Sequence, residues 1–250
     1  MSTEHDQEMP FLSHLIELRT RLLRAVSVML LVFLAMVPFA NKIYSLFAGP
    51  LLKHMPEGGQ MIAIEVISPF MVPVKLCFFL SVIVTAPWIL YQAWAFVAPG
   101  LYRHEKRLAK PLLASATFLF YGGCAFAFFV ALPGVFKFMQ AFAPEGVAVM
   151  TDITKYLDFV LVMFLAFGVC FEVPVVVMIL VLLGWVSIEQ LKEARGYVIV
   201  GAFVVAAIVT PPDVVSQLML AVPMCLLYEV GILAARVLAK RQENKIAPSA

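Results

Sequence analysis

Charge is scarce in this chain: 14% of its residues are Asp, Glu, Lys or Arg, against about a quarter in an ordinary soluble domain. Histidine is rarer still, with His5, His14, His54 and His104 dispersed along the sequence. The cysteines Cys77, Cys124, Cys170 and Cys225 stand singly inside apolar runs, with no CxxC and no metal spacing. They read as small packing residues, which excludes a disulfide framework or a zinc site. The segment "HEKRL" at 104–108 puts Leu108 where HExxH needs its second histidine. GxSxG and P-loop patterns are also missing, so no catalytic machinery is expected, nor a cofactor, a metal or a nucleic-acid partner. The opening "MSTEHDQEMP" is acidic and polar, and no cleavable signal peptide is expected from it.

What fills the space is apolar. Of the 250 residues 63% are hydrophobic, and the mean hydropathy is +0.97. That exceeds what one water-facing globule can bury, so the solvent is lipid. Spanning helices are predicted at Leu22–Phe39, Lys75–Val97, Leu112–Leu132, Tyr156–Leu183, Tyr197–Val209 and Val214–Val237. Pro and Gly punctuate the breaks between them. No repeat or low-complexity tract divides the chain. The expected organisation is an amphipathic segment over 1–21, one six-helix membrane domain over 22–237, and a tail without regular structure over 238–250.

Basic residues fix the expected orientation. Arg19, Arg21 and Arg24, then Arg103, Lys106, Arg107 and Lys110, then Lys192 and Arg195, then Arg236, Lys240, Arg241 and Lys245 fall on one side. Lys42, Lys53, Lys75, Lys137 and Lys155 fall on the other. The excess predicts both termini in the cytoplasm, and the even number of spans agrees, since it puts them on one side. The fifth run would be only about 20 Å long as a helix, against roughly 30 Å of hydrocarbon. Followed at once by the "TPPD" turn at 210–213, it predicts short fifth and sixth helices that thin the bilayer or recruit partners. Two longer outer loops should cap the far face, with Asp152 as an N-cap before the fourth span.

Few polar residues demand explanation. As a helix, residues 11–24 carry an apolar stripe of Phe11, Leu15, Leu18 and Leu22 opposite a face of Ser13, His14, Glu17, Thr20, Arg21 and Arg24. Arg19 lies within the apolar arc, where it could snorkel to lipid phosphate. Glu17 and Glu105 each have two readings. One is a solvated acid among bases, Glu17 forming an i, i+4 pair with Arg21. The other is a pair of carboxylates that accept guanidinium forks from two arginines of a partner. Glu172, in "FGVCFEVPVVV", sits mid-span, where an ionised group is costly. Pro174 should bend the helix beside it. Glu172 therefore reads either as lining a polar concavity or as a protonated acid bonded to a neighbouring helix. Asp158 and Glu229 have weaker claims. Asp213 and Gln217 mark the outer turn, and Gly201, Ala202 and Ala206 give the fifth helix small positions for close helix approach, from a partner or within the bundle.

Taken together, "HLIELRTRLL", "SPF" at 68–70, "PWILYQAWAFVAPGLYRHEKR", "FGVCFEVPV" and "TPPDVVSQLMLAVPMCLLYEVG" resemble the TatC family, from about His14 to the end of the sixth helix. The resemblance implies the signal-receptor subunit of the twin-arginine protein translocase of the bacterial inner membrane. It implies a glove-shaped bundle, export of folded precursors driven by the proton motive force, and the single-span partners TatA and TatB. By the same resemblance Glu17 and Glu105 read the paired arginines, with Arg19 and Phe96 beside them. Glu172 is then the intramembrane acid, and Pro50, Asp213 and Gln217 belong to functional outer positions. The fifth helix, with Gly201, Ala202 and Ala206, faces TatB. A proton-coupled small-solute transporter built on Glu172 is the alternative, against which no inverted repeat is visible.

Overall fold

In hydrocarbon every backbone N–H and C=O must be satisfied within the protein, which makes the helix the element for each apolar run. The computed structural model describes residues 3–52, 61–97, 109–141, 151–210 and 213–246. Its helices are α1 (Thr3–Met36), α2 (Ala40–Leu52), α3 (Ser68–Val97), α4 (Ala109–Phe126), α5 (Leu132–Ala141), α6 (Ile153–Cys170), α7 (Val173–Leu182), α8 (Ile188–Glu193), α9 (Arg195–Val209) and α10 (Val214–Ile246). A 3-10 turn, Val37–Phe39, joins α1 to α2. Five stretches are long and apolar enough to cross a bilayer: His14–Phe47, Ser68–Val97, Lys110–Phe138, Ile153–Leu182 and Val214–Lys240. The shorter α9 is also apolar, and its 15 residues give about 22 Å of helix.

Several boundaries correct the sequence reading. The amphipathic segment and the first span share one helix, since α1 runs unbroken from Thr3 to Met36. The sixth helix is not short: α10 has 33 residues and continues to Ile246, through the tail expected to lack regular structure. "AKRQEN" contains good helix formers and no Gly or Pro, so nothing stops the helix where its apolar part ends. The third span holds a π-helical turn, Ala127–Ala131, just before Pro133. A proline ring crowds the carbonyl four residues back, and widening the preceding turn relieves that contact. The fourth span breaks into α6 and α7 at Phe171–Glu172, as Pro174 predicts.

The main core lies where α4, the π-turn and α5 meet α6, α9 and α10, around Phe167, Leu132, Met163, Val160 and Leu220. Glycine sets the closest crossing. A Cβ on Gly123 of α4 would collide with the Phe167 carbonyl oxygen, and would lie 2.8 Å from its carbon and 3.0 Å from the Cα of Gly168. At the break, a Cβ on Gly231 of α10 would lie 2.9 Å from the Cα of Pro174, so this glycine lets α10 seat against the start of α7. By contrast α1 packs chiefly along α3, and only 6% of its apolar window is buried.

The two long loops, before α3 and before α6, are tied together at their described ends. Strand β1 (Met61–Ile62) pairs in parallel with β2 (Thr151–Asp152), matching Met61 to Thr151 and Ile62 to Asp152. Asp152 caps α6 as expected, accepting from the Thr154 amide at 3.2 Å. Ser68 and Thr154 share a 2.8 Å hydroxyl contact. Two turns along α3, Lys75 Nζ meets both Asp158 oxygens, at 2.8 and 3.0 Å. Both side chains are nearly half exposed, so a double-mutant cycle with Lys75→Ala and Asp158→Ala should give a coupling of about 0.5–1 kcal/mol. The check is unfolding in mixed detergent micelles, where additive losses would show that the pair contributes nothing.

The opposite end is fastened through α8. Ser187 and Gln190 form a capping box at its start. The Tyr228 hydroxyl donates to the Leu191 carbonyl at 2.8 Å in a buried contact, and Arg195 grips Glu229 with Nε at 2.7 Å and a second nitrogen at 2.8 Å. Tyr228→Phe leaves that carbonyl without its donor and should cost about 1 kcal/mol, read as a lowered melting midpoint in detergent.

Candidate functional site

Lipid inverts the usual logic of an amphipathic helix: the apolar stripe can face the solvent and the polar face can turn to protein. α1 does this. Leu15, Leu18 and Leu22 are exposed, while Glu17, Arg21 and Ala25, spaced four apart, turn inward and grow more buried along the helix. Arg21 donates to a single oxygen of Glu17, Oε1, at 2.6 Å from one terminal nitrogen and 2.9 Å from Nε. The second oxygen has no partner among the described residues. The carboxylate thus already holds one guanidinium and keeps an acceptor for another.

His14, one turn before Glu17, stacks its ring on Phe96 of α3, with centroids 4.2 Å apart and planes 18° apart. This contact brings Phe96 to the turn of α1 that precedes Glu17. Sequence reasoning treats His14 as one of four dispersed histidines, although its i, i+3 spacing to Glu17 is a usable signal. Glu105 lies outside the described residues. Arg19 is exposed and points away from Glu17, as positions two apart on a helix must. It lines a groove with Arg24 and Trp88.

The other predicted residues are spread through the fold. Glu172 occupies the α6–α7 break in helical conformation, its carbonyl accepting from the Val176 amide at 2.9 Å. Its Oε1 is buried and without a hydrogen-bond partner among the described residues. Asp213 opens α10, its Oδ1 accepting from the Ser216 amide at 2.7 Å. Gln217 donates to the Phe203 carbonyl of α9 at 3.2 Å, which makes it an internal tie between α9 and α10. Ala202 and Ala206 are fully buried in the main core, so the close approach they permit is to this chain's own helices. Gly201 faces open space: a Cβ added there would meet nothing within 4 Å. Pro50 lies in the backbone of α2.

These features define a polytopic helical membrane protein whose guanidinium-binding carboxylate stands near the start of its first candidate span. Residues 13–223 match the family described as Sec-independent protein translocase protein (TatC). The TatC protein of Azotobacter chroococcum mcd 1 is 52% identical over 240 residues, covering 96% of this chain and 94% of the relative. That of Escherichia coli K12 is also 52% identical, over 245 residues, covering 98% and 94%. A crystal structure described as the twin arginine translocase receptor TatC superposes with a TM-score of 0.81 at 37% identity, covering 90% of this chain and 98% of that one. This chain belongs to the TatC family.

Proposed function

We propose that this protein is the signal-receptor subunit of a twin-arginine export system in a bacterial inner membrane. It has six spans in a glove-shaped bundle with both termini in the cytoplasm, the short α9 counting as the fifth. Glu17 and Glu105 read the paired arginines on the leader of a folded precursor, and Phe96 lines the same surface. The receptor nucleates assembly with TatA and TatB, and the proton motive force drives transport. Glu172 supplies a polar point inside the bundle during translocation. Pro50, Asp213 and the open face around Gly201 lie towards partner subunits.

One observation carries the reading: Glu17 is bound by a guanidinium on one oxygen, and its other oxygen has no partner among the described residues. An incoming arginine can add to that second oxygen or take the place of Arg21, and in either case the exchange is guanidinium for guanidinium. A lysine cannot reproduce the planar fork. The test is site-specific photo-cross-linking from position 17 to a precursor bearing Arg-Arg or Lys-Lys in its leader. Strong labelling by the first and loss with the second are expected; equal labelling by both would overturn the assignment. The transporter alternative finds no support in the relatives described above.

A further inference from the structure

We propose that the groove between α1 and α3 beside Arg19, Arg24 and Trp88 is a binding site for one anionic glycerophospholipid. The groove has a volume of about 400 Å³, which suits a headgroup and glycerol rather than a whole lipid. Arg19, Leu23, Arg24 and Ser27 line its α1 side, and Trp88 closes it from α3, its indole N–H donating to the Arg24 carbonyl at 3.4 Å. Neither guanidinium has a carboxylate partner among the described residues, unlike Arg21 and Arg195. Two unneutralised guanidiniums over one cavity call for an anion, and guanidinium matches phosphate oxygens with paired donors.

The surroundings say which anion. Trp88 packs against Tyr91, with ring centroids 5.6 Å apart, an aromatic tier of the kind that marks the headgroup level of a bilayer. From Leu23 the same face of α1 continues through Leu30 and Leu34, all exposed, so acyl chains have apolar surface to follow. Phosphatidylglycerol places its single negative charge between the arginines. Phosphatidylethanolamine would bring an ammonium against them, and phosphatidylcholine a bulkier cation. Thr20, Arg24 and Val28, which line the groove, follow Glu17 along α1, so the site begins about one turn beyond that carboxylate. It gives Arg19 a ligand of its own.

Native mass spectrometry of the delipidated full-length protein in detergent, titrated with palmitoyl-oleoyl phosphatidylglycerol, tests the site. One tightly retained lipid is expected, with phosphatidylethanolamine and phosphatidylcholine held at least tenfold more weakly. Arg19→Gln and Arg24→Gln should each weaken retention about fivefold and together about 25-fold. Lys240→Gln, on an exposed lysine of α10, should leave retention unchanged. Equal retention of phosphatidylcholine, an unaffected double variant, or an equal loss in Lys240→Gln would each overturn the proposal. So would displacement of the lipid by water-soluble glycerophosphoglycerol, which would mark a site for free phosphodiesters instead.

Discussion

Membranes carrying Glu17→Gln or Glu105→Gln are expected to lose cross-linking to a twin-arginine precursor, while the variant protein accumulates at the normal level. The two halves of this result have different physical sources. Glutamine keeps the size of the side chain and one acceptor oxygen, but loses the charge that holds a guanidinium. A hydrogen bond to a charged group contributes roughly 1.5–3 kcal/mol, so each variant should weaken binding by about 10- to 150-fold. The protein itself should hardly respond. In the folded chain Glu17 holds Arg21, one turn along the same helix, with side chains about one-third and one-fifth exposed. Such a pair contributes only tenths of a kcal/mol. Binding and folding are thereby separated at one residue. Charge reversal carries the idea further: Glu17→Arg with Glu105→Arg should reject the Arg-Arg leader and label one carrying Glu-Glu. Retained labelling of the Arg-Arg leader by that double variant would refute recognition through these carboxylates.

Gly123→Val should cause a large loss of stability, and Gly122→Ala, next to it in sequence, should cause almost none. At Gly123 the new carbon meets backbone, namely the Phe167 carbonyl and the Cα of Gly168. Backbone cannot rotate out of the way, so α4 and α6 must separate along their crossing. The crossing is tight from both sides, since a Cβ on Gly168 would lie 2.8 Å from the Phe120 ring. Overpacking of this kind costs typically about 1–3 kcal/mol, and the two methyl groups beyond the Cβ put the loss at the upper end. A fall in melting midpoint of roughly 10 °C in detergent corresponds to that range. At Gly122 the nearest atom is Phe171 Cδ1 at 4.0 Å, an ordinary contact. Equal melting of the two variants would mean that this crossing does not limit stability.

Much of this protein is legible in its amino-acid order alone. The scarcity of charge names the solvent, and the apolar runs place the spans to within a few turns. The brief fifth helix, the bend at Glu172 and the Asp152 cap all follow from local chemistry. These features depend on what a segment contains rather than on what it meets. The differences have the same origin. Helix α10 outlasts its apolar run, because helix formation needs only the absence of breakers. The π-turn before Pro133 is not legible, since the relief of a proline clash depends on how the neighbouring helix packs. Ala202 and Ala206 suit a partner and the core equally well on paper, since small size permits close approach without naming the neighbour.

The sequence by itself therefore determined that this is a membrane bundle, where its charges lie and to which family it is similar. Tertiary structure alone decided which face of each helix turns inward. It brought His14 onto Phe96, put Arg21 on one oxygen of Glu17, and left Arg19 and Arg24 together over an open groove. The physical reason is that lipid is as apolar as leucine, so hydrophobicity gives a helix in a bilayer no preferred side. Orientation is left to packing and to a few polar contacts between segments far apart in the chain.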